Sequence, residues 1–229
     1  MYYFYSELFL LPFSHDEVVH GKKTIVDKIF GTYEEKFAQA RLLYAYMYTH
    51  PGKKLNFMGG EFGQFIEWNY KQPLDWSLLE FPMHDSMRRY FRDLGRIYES
   101  TPALWRIDDS WDGFKWLNVD DNEHSSVAFM RMSRGSYIVC ALNFTPVRYD
   151  NFTIGLPKPG VLREMINSDD TKYSGSGVLN ESEIRSHKKS FLDFAYSAEI
   201  TLPPMSCVYF RFTPSKPAPK RKKPSAPAK

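Results

Sequence analysis

Leu8-Phe9-Leu10-Leu11-Pro12-Phe13, running straight into Ser14-His15-Asp16-Glu17-Val18-Val19-His20-Gly21-Lys22, is the stretch on which the reading of this chain turns. Six apolar residues in a row suit a strand covered on both faces. A polar, charged loop at the end of such a strand is how parallel α/β folds present reactive side chains, which in a (β/α) barrel sit at the C-terminal strand ends. Ser14, His15 and Asp16 are the three residue types of a hydrolase triad, but they are consecutive. Neighbours on an extended segment point to opposite sides and cannot converge as nucleophile, base and orienting acid, so a serine hydrolase is a poor reading. His15 and His20 lack the helical i, i+4 spacing of zinc hydrolases and have no cysteine ligand nearby, so a metal is not expected.

Outward from this stretch, Thr32 with Glu35 three residues on has the spacing of a capping box. It opens a predicted helix through Phe37, Ala40, Tyr44 and Tyr48 that stops before Pro51-Gly52. Residues 42–48 are apolar almost all round, which leaves strand as the alternative there; the cap and the alanines favour helix. Leu55–Met58 reads as a second short strand, broken by Gly59-Gly60, and a long aromatic loop spans residues 61–82. Met87, Tyr90, Phe91, Leu94 and Tyr98 then mark one face of a second helix, ended by Thr101-Pro102. From about Trp111 the period changes. Strands are predicted over 114–119, 126–132, 137–144, 152–156, 161–166, 200–202 and 207–212, separated by turn residues, a spacing that suggests an antiparallel sandwich. Ser174-Gly175-Ser176-Gly177 reads as a flexible loop within it.

The 229 residues allow one large domain or two small ones, and 43% hydrophobic with 25% charged residues make a core-forming chain. Aromatics reach 17%; they suit sugar-stacking surfaces but fill cores first. The net charge of +3 belongs to the end of the chain. From Lys216 onward lie six of the 30 basic residues and none of the 27 acidic ones, so residues 1–215 carry a net −3. That Pro/Ala/Lys run is expected to be a disordered, solvated tail, and nucleic acid is not expected as a partner. Cys140 and Cys207 fall in strand-like segments and read as reduced, buried residues of a cytoplasmic protein. Met1-Tyr2-Tyr3-Phe4-Tyr5 has no basic stretch before it and soon meets Glu7, unlike a signal peptide, and no apolar run reaches membrane-spanning length.

The chemistry these residues fit best is sugar transfer. Glycoside chemistry uses two carboxylates flanking the scissile bond, one protonating the leaving oxygen and one acting as nucleophile or base. Strand-end carboxylates are available in Asp16 and Glu61, and Glu67-Trp68 and Asp75-Trp76 set acids beside aromatics. Each alone is a weak signal, because loop acids are usually just solvated; Asp75 has a plainer use in capping the turn before Leu78.

Together these motifs resemble glycogen (1,4-α-glucan) branching enzymes of the α-amylase superfamily. Ser14–Lys22 resembles the family's last signature, Phe57-Met58-Gly59-Gly60-Glu61-Phe62-Gly63-Gln64 its eighth barrel strand end, and Glu67-Trp68-Asn69 through Leu74-Asp75-Trp76 the loop that follows. Asn143-Phe144-Thr145-Pro146 and Asn167-Ser168-Asp169 are similar to its C-terminal β domain. The resemblance runs to about Pro214. It implies α/β plus all-β architecture: the last two β/α units of a (β/α)8 barrel over residues 1–103, an antiparallel sandwich over 104–214, and a basic tail over 215–229. It also implies transfer of α-1,4-glucan segments to 6-hydroxyls, without cofactor. Asp16 matches the carboxylate that stabilises the oxocarbenium-like transition state, and His15 the histidine that hydrogen-bonds the same sugar. Glu61 and Trp68 are implied to help bind the glucan, glycogen or an amylose-like chain.

The family's nucleophilic aspartate and acid/base glutamate have no counterpart here, so the isolated chain is expected to be inactive. Two β/α units also cannot close a barrel, so β-strands of the first half would keep open edges. Two other readings follow: a non-catalytic glucan-binding module built on the β half with Trp68 and Trp76, and a docking half whose partner is the missing N-terminal part of the enzyme.

Overall fold

The computed structural model of this chain describes residues 5, 7–121 and 123–215. The expected tail, 215–229, lies outside them apart from Ser215, whose N–H donates to the Pro159 carbonyl at 2.8 Å.

The first half is β1 (Leu10–Phe13), α1 (Ile25–Lys28), α2 (Tyr33–Thr49), β2 (Lys53–Asn56) and α3 (Pro82–Ser100). α2 begins where the capping box predicts. The Thr32 hydroxyl accepts from the Glu35 N–H at 3.3 Å, and the Glu35 carboxylate accepts from the Thr32 N–H at 2.8 Å. The apolar stretch 42–48 is helix, and Phe37, Ala40, Tyr44 and Ala45 are fully buried. α3 starts on Pro82, whose missing N–H costs nothing at a first helical position. β1 and β2 are parallel, with Leu10 opposite Lys53 and Phe13 opposite Asn56, and α1 and α2 fill the crossover.

Two details of that strand pair differ from expectation. The second strand is Lys53–Asn56 rather than 55–58: the Phe57 N–H makes a last ladder bond to the Phe13 carbonyl at 2.8 Å, and the chain then turns at Gly59. The first is Leu10–Phe13 and is not covered on both faces. Leu8 is 85% and Leu10 48% exposed. Among the described residues β1 and β2 pair only with each other, so no neighbouring strand covers them.

The second half holds β3 (Phe114–Asp121), β4 (Ser126–Ser133), β5 (Ser136–Asn143), β6 (Tyr149–Leu156), β7 (Gly160–Asn167), β8 (Ile184–Arg185), β9 (Tyr196–Leu202) and β10 (Ser206–Pro214). Six of them form one sheet in the order β3-β4-β5-β10-β7-β8, and β6 and β9 form a second. All pairings here are antiparallel. Strand alternation divides the large sheet between two cores. Ala128, Met130, Val139, Ala141, Val208 and Phe210 face β6 and β9. Phe129, Ile138, Cys140, Leu142, Cys207 and Tyr209 face the other way and join Phe37, Tyr44, Met87, Tyr90 and Leu94 of the helices in one cluster. A sheet buried on both faces explains why β4 and β5 read as nearly continuous apolar runs.

Polar groups seal the contact between halves. Arg131 of β4, fully buried, donates to the carbonyls of Thr49 (2.7 Å), Gly113 (3.2 Å) and Ile107 (3.2 Å) and to the Asp108 carboxylate (2.5 Å). Tyr209 donates to the Ala45 carbonyl at 2.6 Å, and Arg41 of α2 to the Ser168 carbonyl at 2.7 Å. Ser174–Gly177 is tied down rather than flexible: the Asp169 carboxylate accepts from the N–H groups of Ser176 (2.9 Å) and Val178 (3.1 Å) and from the Ser176 hydroxyl (2.6 Å). A buried carboxylate that finds three donors orders a segment whose composition alone predicts freedom. Cys140 and Cys207 are both free thiols and buried, as expected. No helix among the described residues is long and apolar enough to cross a membrane.

Candidate active-site loops

The loops after β1 and β2 leave the same end of the parallel pair and grip each other. After β1, Ser14 caps a single 3-10 turn, His15–Glu17. Its N–H and hydroxyl both donate to Glu17, at 2.6 and 2.8 Å, and its oxygen accepts from the Asp16 N–H. These bonds, the Ser14 side chain first, hold the Glu17 carboxyl below the usual carboxylate range. Lys22 donates to the Asp16 carbonyl at 2.9 Å, and Lys28 to that of Glu17. The chain then turns back through left-handed backbone at His20, Gly21 and Lys23.

That reversal is held from the other loop. Glu67 accepts from the Gly21 N–H at 3.0 Å and the Lys23 N–H at 2.6 Å, which lowers its pKa, and Trp68 N–H donates to the Val18 carbonyl at 3.0 Å. The Trp68 ring stands edge-on to Phe57 at 5.1 Å, and Phe57 lies 6.0 Å from the His15 ring. Beneath them a cavity of only about 20 Å³, lined by Ser14, Val18, Phe57, Gly60 and Trp68, leaves room for little more than one water.

The predicted site residues divide by what they do. His15 and Asp16 stand 57% and 70% exposed, Nε2 to Oδ1 3.5 Å, at the C-terminal end of β1. Glu61 lies half-buried after β2 and accepts from the Gly59 N–H at 2.8 Å, in a turn whose Gly59 has φ +92°. Trp68 joins the β1 loop through Val18 and Phe57. Glu67 braces the β1 loop through its two backbone hydrogen bonds. Asp75 is likewise occupied, accepting from the Ser77 hydroxyl at 2.5 Å while its N–H donates to Gln64. The Ser14-x-x-Glu17 spacing carries the same signal as Thr32-x-x-Glu35 and marks the cap in the sequence itself. Among the described residues no group of three or more His, Cys, Asp or Glu side chains converges as a metal site would.

Residues 116–213, most of the sandwich, match the family model "Alpha amylase, C-terminal all-beta domain". Solved structures agree at the level of fold. The Nostoc punctiforme debranching enzyme superposes on 76% of this chain and 31% of its own with TM-score 0.54 at 15% identity. The α-amylase from Geobacillus thermoleovorans, complexed with acarbose, covers 79% and 34% with TM-score 0.50 and 15% identity. The particular likeness is closer. Over 91% of its length the chain is 47% identical to the 1,4-alpha-glucan branching enzyme GlgB of Halothermothrix orenii and 46% identical to GlgB of Bacillus cereus. It spans about a third of those relatives, 34% and 33% of their lengths. The resemblance to branching enzymes read from Ser14–Lys22 therefore stands, and it is to their C-terminal portion.

Proposed function

We propose that this chain is the C-terminal part of a cytoplasmic 1,4-α-glucan branching enzyme. Residues 1–103 are the last two β/α units of its (β/α)8 barrel, and residues 104–214 its all-β domain. The observation that carries this reading is the division of labour around β1: Ser14, Glu17, Lys22, Lys28 and Glu67 are spent on holding the loop, while the side chains of His15 and Asp16, 3.5 Å apart, stand exposed at its rim. An exposed carboxylate held on a fixed turn can face positive charge that develops on a sugar ring, which is where electrostatic stabilisation acts. His15 hydrogen-bonds the same sugar, Glu61 keeps acceptor positions for hydroxyls, and Trp68 offers a ring face. Nucleophile and acid/base come from elsewhere, so the chain alone does not branch glucan.

The open edge of the strand pair favours a docking role as well. Leu8 and Leu10 are solvent-exposed, and a cavity of about 300 Å³ between β1 and α2 is lined by Leu11, Phe13, Leu43, Tyr46 and Met47. Its occupant in this reading is the N-terminal part of the enzyme. The test mixes the purified chain with amylose, alone and with the separately produced N-terminal two-thirds of a branching-enzyme relative, and counts α-1,6 linkages. Branches form only in the mixture, and Asp16→Asn lowers that rate roughly 10²- to 10³-fold. Branching by the chain alone, or full activity of the Asp16→Asn mixture, overturns the assignment.

A further inference from the structure

Gln64 sits inside the long loop after β2 and is only 8% exposed. Its side-chain amide is used at both ends. Nε2 donates to the Ile66 carbonyl at 2.8 Å, and Oε1 accepts from the Asp75 N–H at 3.1 Å. A carbonyl only accepts and a backbone N–H only donates, so a single orientation of the amide satisfies both. The backbone N–H of Gln64 donates to the Gly59 carbonyl at 2.9 Å and closes the turn over residues 59–64. The side chain folds back over that turn: a Cβ added at Gly59 would lie 3.3 Å from the Gln64 Cβ and 3.4 Å from its Oε1. Left-handed backbone at Gly59 and Gly63, φ +92° and +70°, lets the turn run this tightly.

Two of the segments that Gln64 ties carry residues of the strand-end site. The turn over 59–64 carries Glu61, held by the Gly59 N–H. The Ile66 carbonyl belongs to the peptide unit leading into Glu67 and Trp68, which grip the β1 loop at Gly21, Lys23 and Val18. Among the described residues Gln64 makes no hydrogen bond to the β1 loop; it faces that loop across the small cavity it lines with Ser14, Val18 and Trp68. A buried amide that spends its donor and its acceptor on backbone 2 and 11 residues away is costly to leave half-satisfied.

We propose that Gln64 is the positioning residue of the strand-end site: through one buried amide it sets Glu61 and Trp68, and through Glu67 the loop that presents His15 and Asp16. Its part in glucan transfer rests on the function proposed above; the mechanical coupling of the two loops does not. Gln64→Glu is nearly isosteric and alters the donor alone. Ionised, the new carboxylate keeps an acceptor for the Asp75 N–H but sets a negative oxygen against the Ile66 carbonyl. Protonated, its O–H donates to that carbonyl again. Burial and the carbonyl both favour the neutral acid, and so does like charge, since Glu61, Glu67 and Asp75 on the tied segments are all acidic. From α3, His84 meets the turn at the Phe62 carbonyl, its pKa lowered by burial. The segment entering α1 offers Thr24, Ile25 and Val26 to the same cavity, none of them ionisable. The substituted carboxyl therefore titrates above the ordinary glutamate value of about 4.3. Gln64→Met keeps the length of the side chain and lacks donor and acceptor at every pH.

Amide exchange of the intact chain, corrected for intrinsic rate, tests the coupling. At pH ~7 both variants speed exchange at Gly21, Lys23 and Trp68 roughly tenfold and leave α2 and β5 as they were. As the pH falls to about 5, where Glu67 still holds the β1 loop, Gln64→Glu regains its protection and Gln64→Met does not. Unchanged exchange at those three amides overturns the proposal. So does equal loosening of α2 and β5, which marks a general loss of stability, or a failure of Gln64→Glu to recover. Branching by the mixture with the N-terminal two-thirds tests the catalytic part. There Gln64→Met lowers kcat roughly tenfold or more at every pH, and the Gln64→Glu rate relative to the unsubstituted chain climbs over the same pH range. If the unsubstituted mixture forms no branches, the proposed function fails and the exchange result alone decides the coupling. Coupled loops with full branching rates in both variants overturn the catalytic role.

Discussion

Replacing Arg131 by methionine removes every polar contact of a fully buried guanidinium while keeping most of its volume. The three carbonyls of Thr49, Ile107 and Gly113 lose a donor, and Asp108, 10% exposed, keeps the more distant Lys53 at 3.4 Å. Removing one partner of a buried ion pair costs about 3–5 kcal/mol, because the other charge stays buried without compensation. A carbonyl stripped of its partner costs about 1–3 kcal/mol, but these losses are not additive, and relaxation of the 107–113 segment toward water recovers part of them. The expected cost of Arg131→Met is therefore about 4–5 kcal/mol, a large share of a typical total stability of about 5–15 kcal/mol. Asp108→Asn leaves all three carbonyl bonds in place but takes the counter-ion from a buried guanidinium, and costs less, about 3 kcal/mol. The double variant should cost clearly less than the two singles together, because neither then strands a charge. Urea unfolding followed by tryptophan fluorescence and circular dichroism measures all three. A loss below about 1 kcal/mol for Arg131→Met, or strict additivity in the cycle, refutes this account of the contact.

Three other outcomes are expected. Glu67 has its pKa lowered by the N–H groups of Gly21 and Lys23, so its hold on the loop is complete above the ordinary glutamate value of about 4.3 and is lost as pH falls through the lower folded value; amide exchange at Lys23, corrected for intrinsic rate, should rise only below that ordinary value, and an earlier rise between neutral pH and pH ~5 would contradict it. Gly175→Ala should be the more damaging of two glycine changes, because its Cβ would lie 2.1 Å from the Asp169 carbonyl oxygen, whereas at Gly135 (φ +83°) there is open space and only backbone strain of about 1–2 kcal/mol; thermal unfolding of the two variants ranks them. Burial pushes the Cys140 thiol up to about 12 and Cys207 well above its ordinary value, so a thiol reagent at mildly alkaline pH should label neither until urea is added, and labelling of folded protein would show that the strands open.

Much of the fold is legible in the sequence where the signal is local. The Thr32–Glu35 cap, the three-four spacing from Met87 to Tyr98 and the strand runs of the second half depend on residues a few positions apart, and the observed elements follow them. What depends on distant partners is not legible. The exposure of Leu8 and Leu10 is one case, because the same apolar run reads locally as a strand covered on both faces. Ser174–Gly177 reads as free because nothing near it shows that Asp169 will take three of its donors. Among the loop acids, sequence separates neither Glu67, which holds backbone 44 and 46 residues away, nor Asp75 from Asp16, which binds little. Arg131 interrupts an otherwise apolar strand and looks misplaced until the Thr49 and Ile107 carbonyls appear beside it.

The shared cluster that joins Phe129, Cys140 and Tyr209 to Tyr44, Met87 and Tyr90 bears on how this protein can be dissected. A cut between residues 103 and 104 would leave two interlocking halves of one interior, each presenting its aromatic rings and a buried arginine or its acceptors to water. The sandwich is thus no interchangeable part: grafting it onto another scaffold requires carrying α2 and α3 along with it. Conversely, substitutions on those helices will be felt in the sheet, so residues facing each other across that cluster are free to change only in concert.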